Sequence, residues 1–164
     1  MLRELLEQKK SSIVDKWVES VLGSYPPGSL KFFKSQKDRF ANPVGYAISS
    51  AAARSFDELI GGNDPWKIRE ALSEVIKIRA VQAFSPSDAT RFVFALKKVV
   101  RDEVGEEIRE AKAYEELVDF ESGIDMMALV AFDLYMESRE KLFQIRVNEV
   151  KSRSLQALVQ DGGQ

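Results

Sequence analysis

Leu72, Ile76, Arg79 and Ala83 are spaced by 4, 3 and 4 residues, the repeat of one helix face. An arginine therefore lies on an apolar stripe, where leaving a buried guanidinium unpaired costs on the order of several kcal/mol. Gln82 lies close to the same face. A second polar group, Asp38, Arg39 and Asn42, sits in "KDRFANPVGY" (residues 37–46), and Asp38 is the obvious carboxylate to meet Arg79 in a charge-assisted pair. Two readings stand for these five residues. A buried ion pair pins two helix–turn junctions together, or the group lines a pocket or interface that receives a signal. The set holds no evident nucleophile or base, so neither reading is catalytic.

The chain of 164 residues has no histidine and no cysteine. Thiolate nucleophiles, disulfides, Cys/His zinc sites, histidine-ligated haem and the Ser-His-Asp triad are thereby excluded. Ser24, Ser50, Ser85 and Ser87 have no imidazole to activate them. Gly61-Gly62 belongs to no phosphate-binding loop pattern. The acidic stretch 102–121, with Glu106-Glu107 and Glu115-Glu116, reads more simply as a solvated helix face than as a carboxylate metal site. No cofactor and no metal are therefore expected. Lys97, Lys98 and Arg101 lack the aromatic interleaving of nucleic-acid binders, and the net charge of −2 favours neither nucleic acid nor an anionic membrane.

The elements that must position the polar group are helices. No segment alternates apolar and polar residues over a useful length, whereas helical spacing recurs throughout. The first helix is expected over about 3–23, with Leu6, Ile13, Trp17 and Val21 on one face, and a short helix or turn over 29–36. Further helices are expected over 43–60, 65–83 and 86–104, then one within 102–121 ending near Gly123, and a last one from about Asp125 past Val150. The expectation is a single-domain, all-α bundle of about six helices over residues 1–150, with a helix end and frayed tail over 151–164. The chain start has no secretory pattern. The richest apolar run, "DMMALVAFDLYM", is broken by Asp133 and falls short of a span of about 20 residues. A cytoplasmic location is the expectation.

Three turns are built alike. Asn42-Pro43, Asp64-Pro65 and Ser85-Pro86 each put a good N-cap side chain before a proline at the first helical position. Each cap is worth roughly 1 kcal/mol, and Asp88 adds a carboxylate to the Ser85 turn. Trp17 and Trp66 are most simply core or subunit-contact residues.

The last helix offers a surface. Phe132, Met136, Phe143, Val147 and Val150 follow spacings of 4, 7, 4 and 3, close to a heptad seam. Pairing with a second copy along this seam and packing back on the chain's own core both remain open.

"W..SVL.SYPP", "KDRFANPVGY" and "IRAVQAFSPSDATRFVFALKK", in that order, resemble the N-terminal sensor domain of the RsbT co-antagonist (RsbR-type) stressosome proteins. The resemblance covers roughly residues 10–150 and carries Asp38, Arg39, Asn42, Pro43, Arg79, Gln82, Ser85 and Pro86, without assigning them a ligand. It implies a dimeric, globin-like domain without haem that passes a stress signal to a STAS output domain. The chain ends at residue 164 with no room for such a domain, so the expected output is another protein meeting the final helix, unless the chain is the sensor part alone. A non-enzymatic sensor is the first reading, a stand-alone protein–protein adaptor without a small-molecule ligand the second, and carboxylate enzyme chemistry a distant third.

Overall fold

The described residues of this computed structural model, 1–35 and 38–162, form seven helices. They are α1 (Leu2–Gln8), α2 (Lys10–Leu22), α3 (Ser29–Ser35), α4 (Pro43–Gly61), α5 (Pro65–Val81), α6 (Pro86–Ala111) and α7 (Tyr114–Asp161). Residue 36 of the expected short helix and the last two residues of the expected tail lie outside the described residues.

Asn42 Oδ1 accepts from Gly45 N at 2.9 Å, Asp64 Oδ1 from Trp66 N at 2.9 Å and Ser85 Oγ from Asp88 N at 3.1 Å. Pro43, Pro65 and Pro86 follow directly, where a missing N–H costs nothing. The Ser85 hydroxyl also donates to Asp88 Oδ2 at 2.9 Å, which places a carboxylate at the positive end of the α6 dipole.

Three boundaries differ from the sequence reading. The first helix is two, broken at Lys9, whose ammonium donates to Glu103 O and Glu107 Oε1 of α6. The bend lets Leu2 and Leu6 as well as Ile13, Trp17 and Val21 reach the core. The expected helix within 102–121 does not exist as a unit, because α6 runs on through Gly105 to Ala111. It ends at Lys112, which takes a left-handed φ of 55°, with Lys112 N bonded to Arg109 O and Ala113 N to Ile108 O. Gly123 breaks nothing. A Cβ there would come within 3.0 Å of the Asn63 side chain and 3.3 Å of Leu59, so this glycine lets α7 approach the end of α4 closely.

The core lies where α7 packs along α5 and α6, while α2 crosses α4 and α6. Trp17 is fully buried; its ring stacks on Phe92 at 6.2 Å and its Nε1–H donates to Phe92 O at 2.7 Å. Side chains of this size, buried completely, each contribute about 1.5–3 kcal/mol. Trp66, by contrast, is 76% exposed at the start of α5. From Phe143 onward no described residue of α7 is buried. At 1.5 Å per residue its last 19 residues, 143–161, reach roughly 28 Å beyond the globule. Among the described residues no helix is long and apolar enough to cross a membrane.

Candidate functional site

Arg79 stands in the last turn of α5, and its side chain is 1% exposed. Its Nη1 donates to Asp88 O at 3.0 Å and its Nη2 to Ser24 Oγ at 3.3 Å, while Nε is buried without a partner. Three rings surround the guanidinium, with centroids at 4.8 Å (Phe84), 5.1 Å (Phe92) and 5.6 Å (Tyr25). Burial pushes the Arg79 pKa down, and the electrostatic pull of Tyr25 and Asp88 opposes this. Burial likewise pushes the Tyr25 phenol up, against the effect of Arg79.

Local geometry brings these groups together. The end of α5 closes with Phe84 N bonded to Arg79 O and Ala83 N to Ala80 O, around Ala83 at a φ of 59°. This bond pair is a Schellman close, in which the third and last residues normally make an apolar contact; here the Phe84 ring meets the Arg79 cation. Ser24 and Tyr25 follow the end of α2, and Asp88 lies in the first turn of α6. Tyr25 OH donates to Gln82 Oε1 at 3.1 Å.

The expected pairing of Asp38 with Arg79 is not formed. Asp38 is exposed and its Oδ1 accepts from Phe40 N at 2.9 Å, two residues on, as an Asx turn. Arg39 lies over the Tyr46 ring at 5.1 Å. Asn42 is buried, caps α4 and donates from Nδ2 to Phe33 O at 3.2 Å. Gln82 caps the end of α5 and is exposed rather than on the buried stripe, as is Ala83. The five expected residues therefore divide into two groups, Arg79 with Gln82 and Asp38 with Arg39 and Asn42. Between the two groups lies the edge-on contact of Phe33 with Tyr25 at 5.4 Å. Spacing fixed the face of α5 that Arg79 occupies. It carried no information on which remote segment would face it, so Ser24, Tyr25, Phe84 and Phe92 were missed.

A cavity of about 370 Å³ opens beside Arg79, between the end of α2 and the start of α6. Ser20, Ser24, Phe84, Arg91 and Phe92 are among its walls. A larger groove of about 540 Å³ runs between α5 and α7, but there Arg69 and Glu137 neutralise one another. The basic and acidic stretches serve as ties between helices. Lys97 meets Asp125 at 2.7 Å, Arg101 forks onto Glu121 at 2.5 and 2.6 Å, and Lys16 and Lys9 meet Glu103 and Glu107. Among the described residues no group of three or more His, Cys, Asp or Glu is placed to hold a metal ion, and no Cys or His exists to ligate haem or zinc.

Phe132, Met136, Phe143 and Val150 are exposed on α7 and Val147 is half-buried. Leu129 extends the stripe toward the N-terminus of α7, and Phe94 of α6 is exposed as well.

Residues 11–150 match the family described as the RsbT co-antagonist protein rsbRD N-terminal domain. The chain belongs to that family. As an RsbRD N-terminal domain it is also similar to an uncharacterized protein of Archaeoglobus fulgidus, 26% identical over 149 residues that span 88% of this chain and 85% of the relative. No solved structure gives a significant match. Membership of the RsbRD N-terminal family accords with a non-enzymatic signalling or adaptor role.

Proposed function

We propose that this domain is a cytoplasmic, globin-like signal-input module that forms a homodimer through α7 and hands its signal along that helix to an output partner, a STAS domain or another signalling protein. The observation that carries the reading is the unpartnered apolar stripe of Leu129, Phe132, Met136, Phe143, Val147 and Val150. Its spacings of 3, 4, 7, 4 and 3 keep it on one side of a helix that continues past the globule. A stripe of this length left in water is the usual mark of an interface. A signal would act by favouring one of two helix arrangements, because only differential affinity shifts such an equilibrium.

The mass of the protein in solution tests this. The domain is expected at twice its chain mass, with Phe143→Lys and Val150→Lys driving it to monomer while helical content is retained. Truncation after Ser138 is expected to weaken the dimer; an unchanged mass would sink the role given to the terminal helix. The second reading, an adaptor without a small-molecule ligand, draws on the three rings that already surround Arg79.

A further inference from the structure

Arg79 has more hydrogen-bonding capacity than the fold uses. A guanidinium carries five N–H donors, and among the described residues Nη1 donates to Asp88 O and Nη2 to Ser24 Oγ. Nε is buried without a hydrogen-bond partner, and the neighbouring Tyr25 phenol is the polar group that acts on the guanidinium from that cluster, so the fork that ordinarily grips a carboxylate has none in contact among the described residues. No carboxylate of the described residues forms an ion pair with it. Asp88 does act on it through space, but both of its oxygens are engaged, Oδ1 by Arg91 at 3.2 Å and Oδ2 by the Ser85 hydroxyl at 2.9 Å. The cavity wall thus holds two arginines, Arg79 and Arg91, against one aspartate. The rest of its wall combines the apolar Val21, Phe84, Phe92 and Ala95 with the hydroxyls of Ser20 and Ser24.

We propose that this cavity binds a small organic carboxylate, its head on Arg79 and its apolar tail against Phe92, Val21 and Ala95. The anion supplies a counter-charge in direct contact, which no carboxylate among the described residues gives this buried cation. The apolar side formed by Val21, Phe92 and Ala95, with a single deeply buried arginine, favours a carboxylate with a hydrocarbon body over a compact, multiply charged phosphate. The volume of about 370 Å³ lies near the lower end of the range for small-molecule sites, which suits a ligand the size of phenylacetate. Arg91, exposed near the start of α6 and paired with Asp88, adds a second positive charge to the cavity wall. The proposal names the input of the signalling module and rests on that reading for its consequence, while the site itself stands on the cavity and its charge.

Trp17 stacks on Phe92, a wall of the cavity, and therefore reports on its contents. The chain has two tryptophans, so Trp66→Phe leaves Trp17 as the sole tryptophan, which excitation at its own absorption edge reports apart from the tyrosines. This protein would be titrated with sodium phenylacetate, succinate and acetate, with neutral phenylacetamide, and with sodium phosphate. Saturable binding of phenylacetate is expected, with phenylacetamide and phosphate weaker by about tenfold or more, as for loss of a hydrogen bond between charged groups. Failure of every carboxylate to saturate up to about 10 mM, a tenfold margin beyond millimolar affinity, overturns the proposal. Equal binding of phenylacetamide, or binding of phosphate alone, overturns it too. Arg79→Met is expected to weaken binding by about tenfold or more. Because that change also alters a buried charge, Ala95→Leu provides the second arm: it fills the cavity from α6 and touches no charge. Binding is expected to vanish in Ala95→Leu with helical content unchanged, and binding left intact there would place the ligand elsewhere and overturn the site. The mass of each sample is measured alongside. A dimer that binds none of the probes removes this inference and leaves the proposed function standing, whereas a monomer that binds phenylacetate does the reverse.

Discussion

Tyr135 of α7 donates its phenol O–H to the backbone carbonyl of Phe84, and the ring of the same Phe84 lies 4.8 Å from the Arg79 guanidinium. One turn further along α7, Arg139 Nη1 donates to Ala80 O at 3.2 Å. The turn between α5 and α6 is therefore held on one side by the Arg79 cluster and on the other by the long helix. This is a contiguous physical connection between the cavity and α7. Tyr135 is buried, so Tyr135→Phe removes a bond that water cannot readily replace, and a loss of about 1 kcal/mol is expected in denaturant unfolding. A change within error would show that α7 is held in place without this bond.

Arg79 and Asp38 contribute independently. Asp38 caps its own turn and Arg79 makes its hydrogen bonds to Asp88 O and Ser24 Oγ, so a cycle of Asp38→Ala and Arg79→Met is expected to be additive within about 0.5 kcal/mol. Arg79→Met leaves no carboxylate stranded. Its cost is therefore expected to fall below the roughly 3–5 kcal/mol typical of breaking a buried pair. Coupling of about 1 kcal/mol or more between the two positions would restore the ion pair that the sequence suggested.

The sequence made local features legible and remote ones obscure, for identifiable reasons. The turns at Asn42, Asp64 and Ser85 could be read because cap, proline and first-turn donor lie within three residues of one another. The end of α6 could not, because Lys112 occupies the left-handed position where glycine would have announced the stop. Gly123 was misread for the complementary reason: its lack of a side chain serves the approach of α7 to Asn63 and Leu59, a contact between segments about 60 residues apart. Periodicity placed Arg79 on a buried face. Its partners come from residues 24 and 88, a separation that no repeat within α5 encodes.

Ala83 is held at a φ of 59°, where an L-residue with a Cβ is disfavoured by about 1–2 kcal/mol. Glycine relieves that strain but gives back part of the gain through its freer unfolded chain. Ala83→Gly is expected to stabilise the fold by up to about 1 kcal/mol, seen as a rise in Tm. A lower Tm would mean that the methyl group contributes packing that outweighs its strain.

Gly45 faces the opposite constraint. A Cβ there would lie 2.2 Å from Asn42 Nδ2 and 2.9 Å from Oδ1, inside the cap of α4. Gly45→Ala must push the buried Asn42 side chain aside, with an expected loss of about 1–2 kcal/mol, comparable with losing the cap. Asn42→Ala should then cost less in the Gly45→Ala background than in the parent protein. Equal costs in the two backgrounds would place the effect of Gly45→Ala somewhere other than the cap.

The ties between the N-terminal helices and α6–α7 set an acid limit on their docking. Hydrogen bonds from Lys16 and Ser12 hold the Glu103 carboxyl below its ordinary pKa, a bond from Lys9 does the same for Glu107, and the Leu2 backbone N–H does so for Glu116. A carboxylate depressed in the folded state stabilises above its unfolded pKa, about 4.3 for Glu, and this contribution is lost as pH falls through the lower folded value. The Lys16 ammonium, raised chiefly by its bond to Glu103, keeps its contribution below about 10.4 and loses it as pH climbs through the raised value. Docking of α1 and α2 is therefore expected to be flat across neutral pH and to loosen below about pH 4. Hydrogen exchange of the α1 and α2 amides along an acid titration measures this. Glu103→Gln should lower protection at neutral pH and flatten the acid loss, since the neutral amide has no proton to gain. An acid limb of unchanged slope in Glu103→Gln would assign the loosening to other carboxylates.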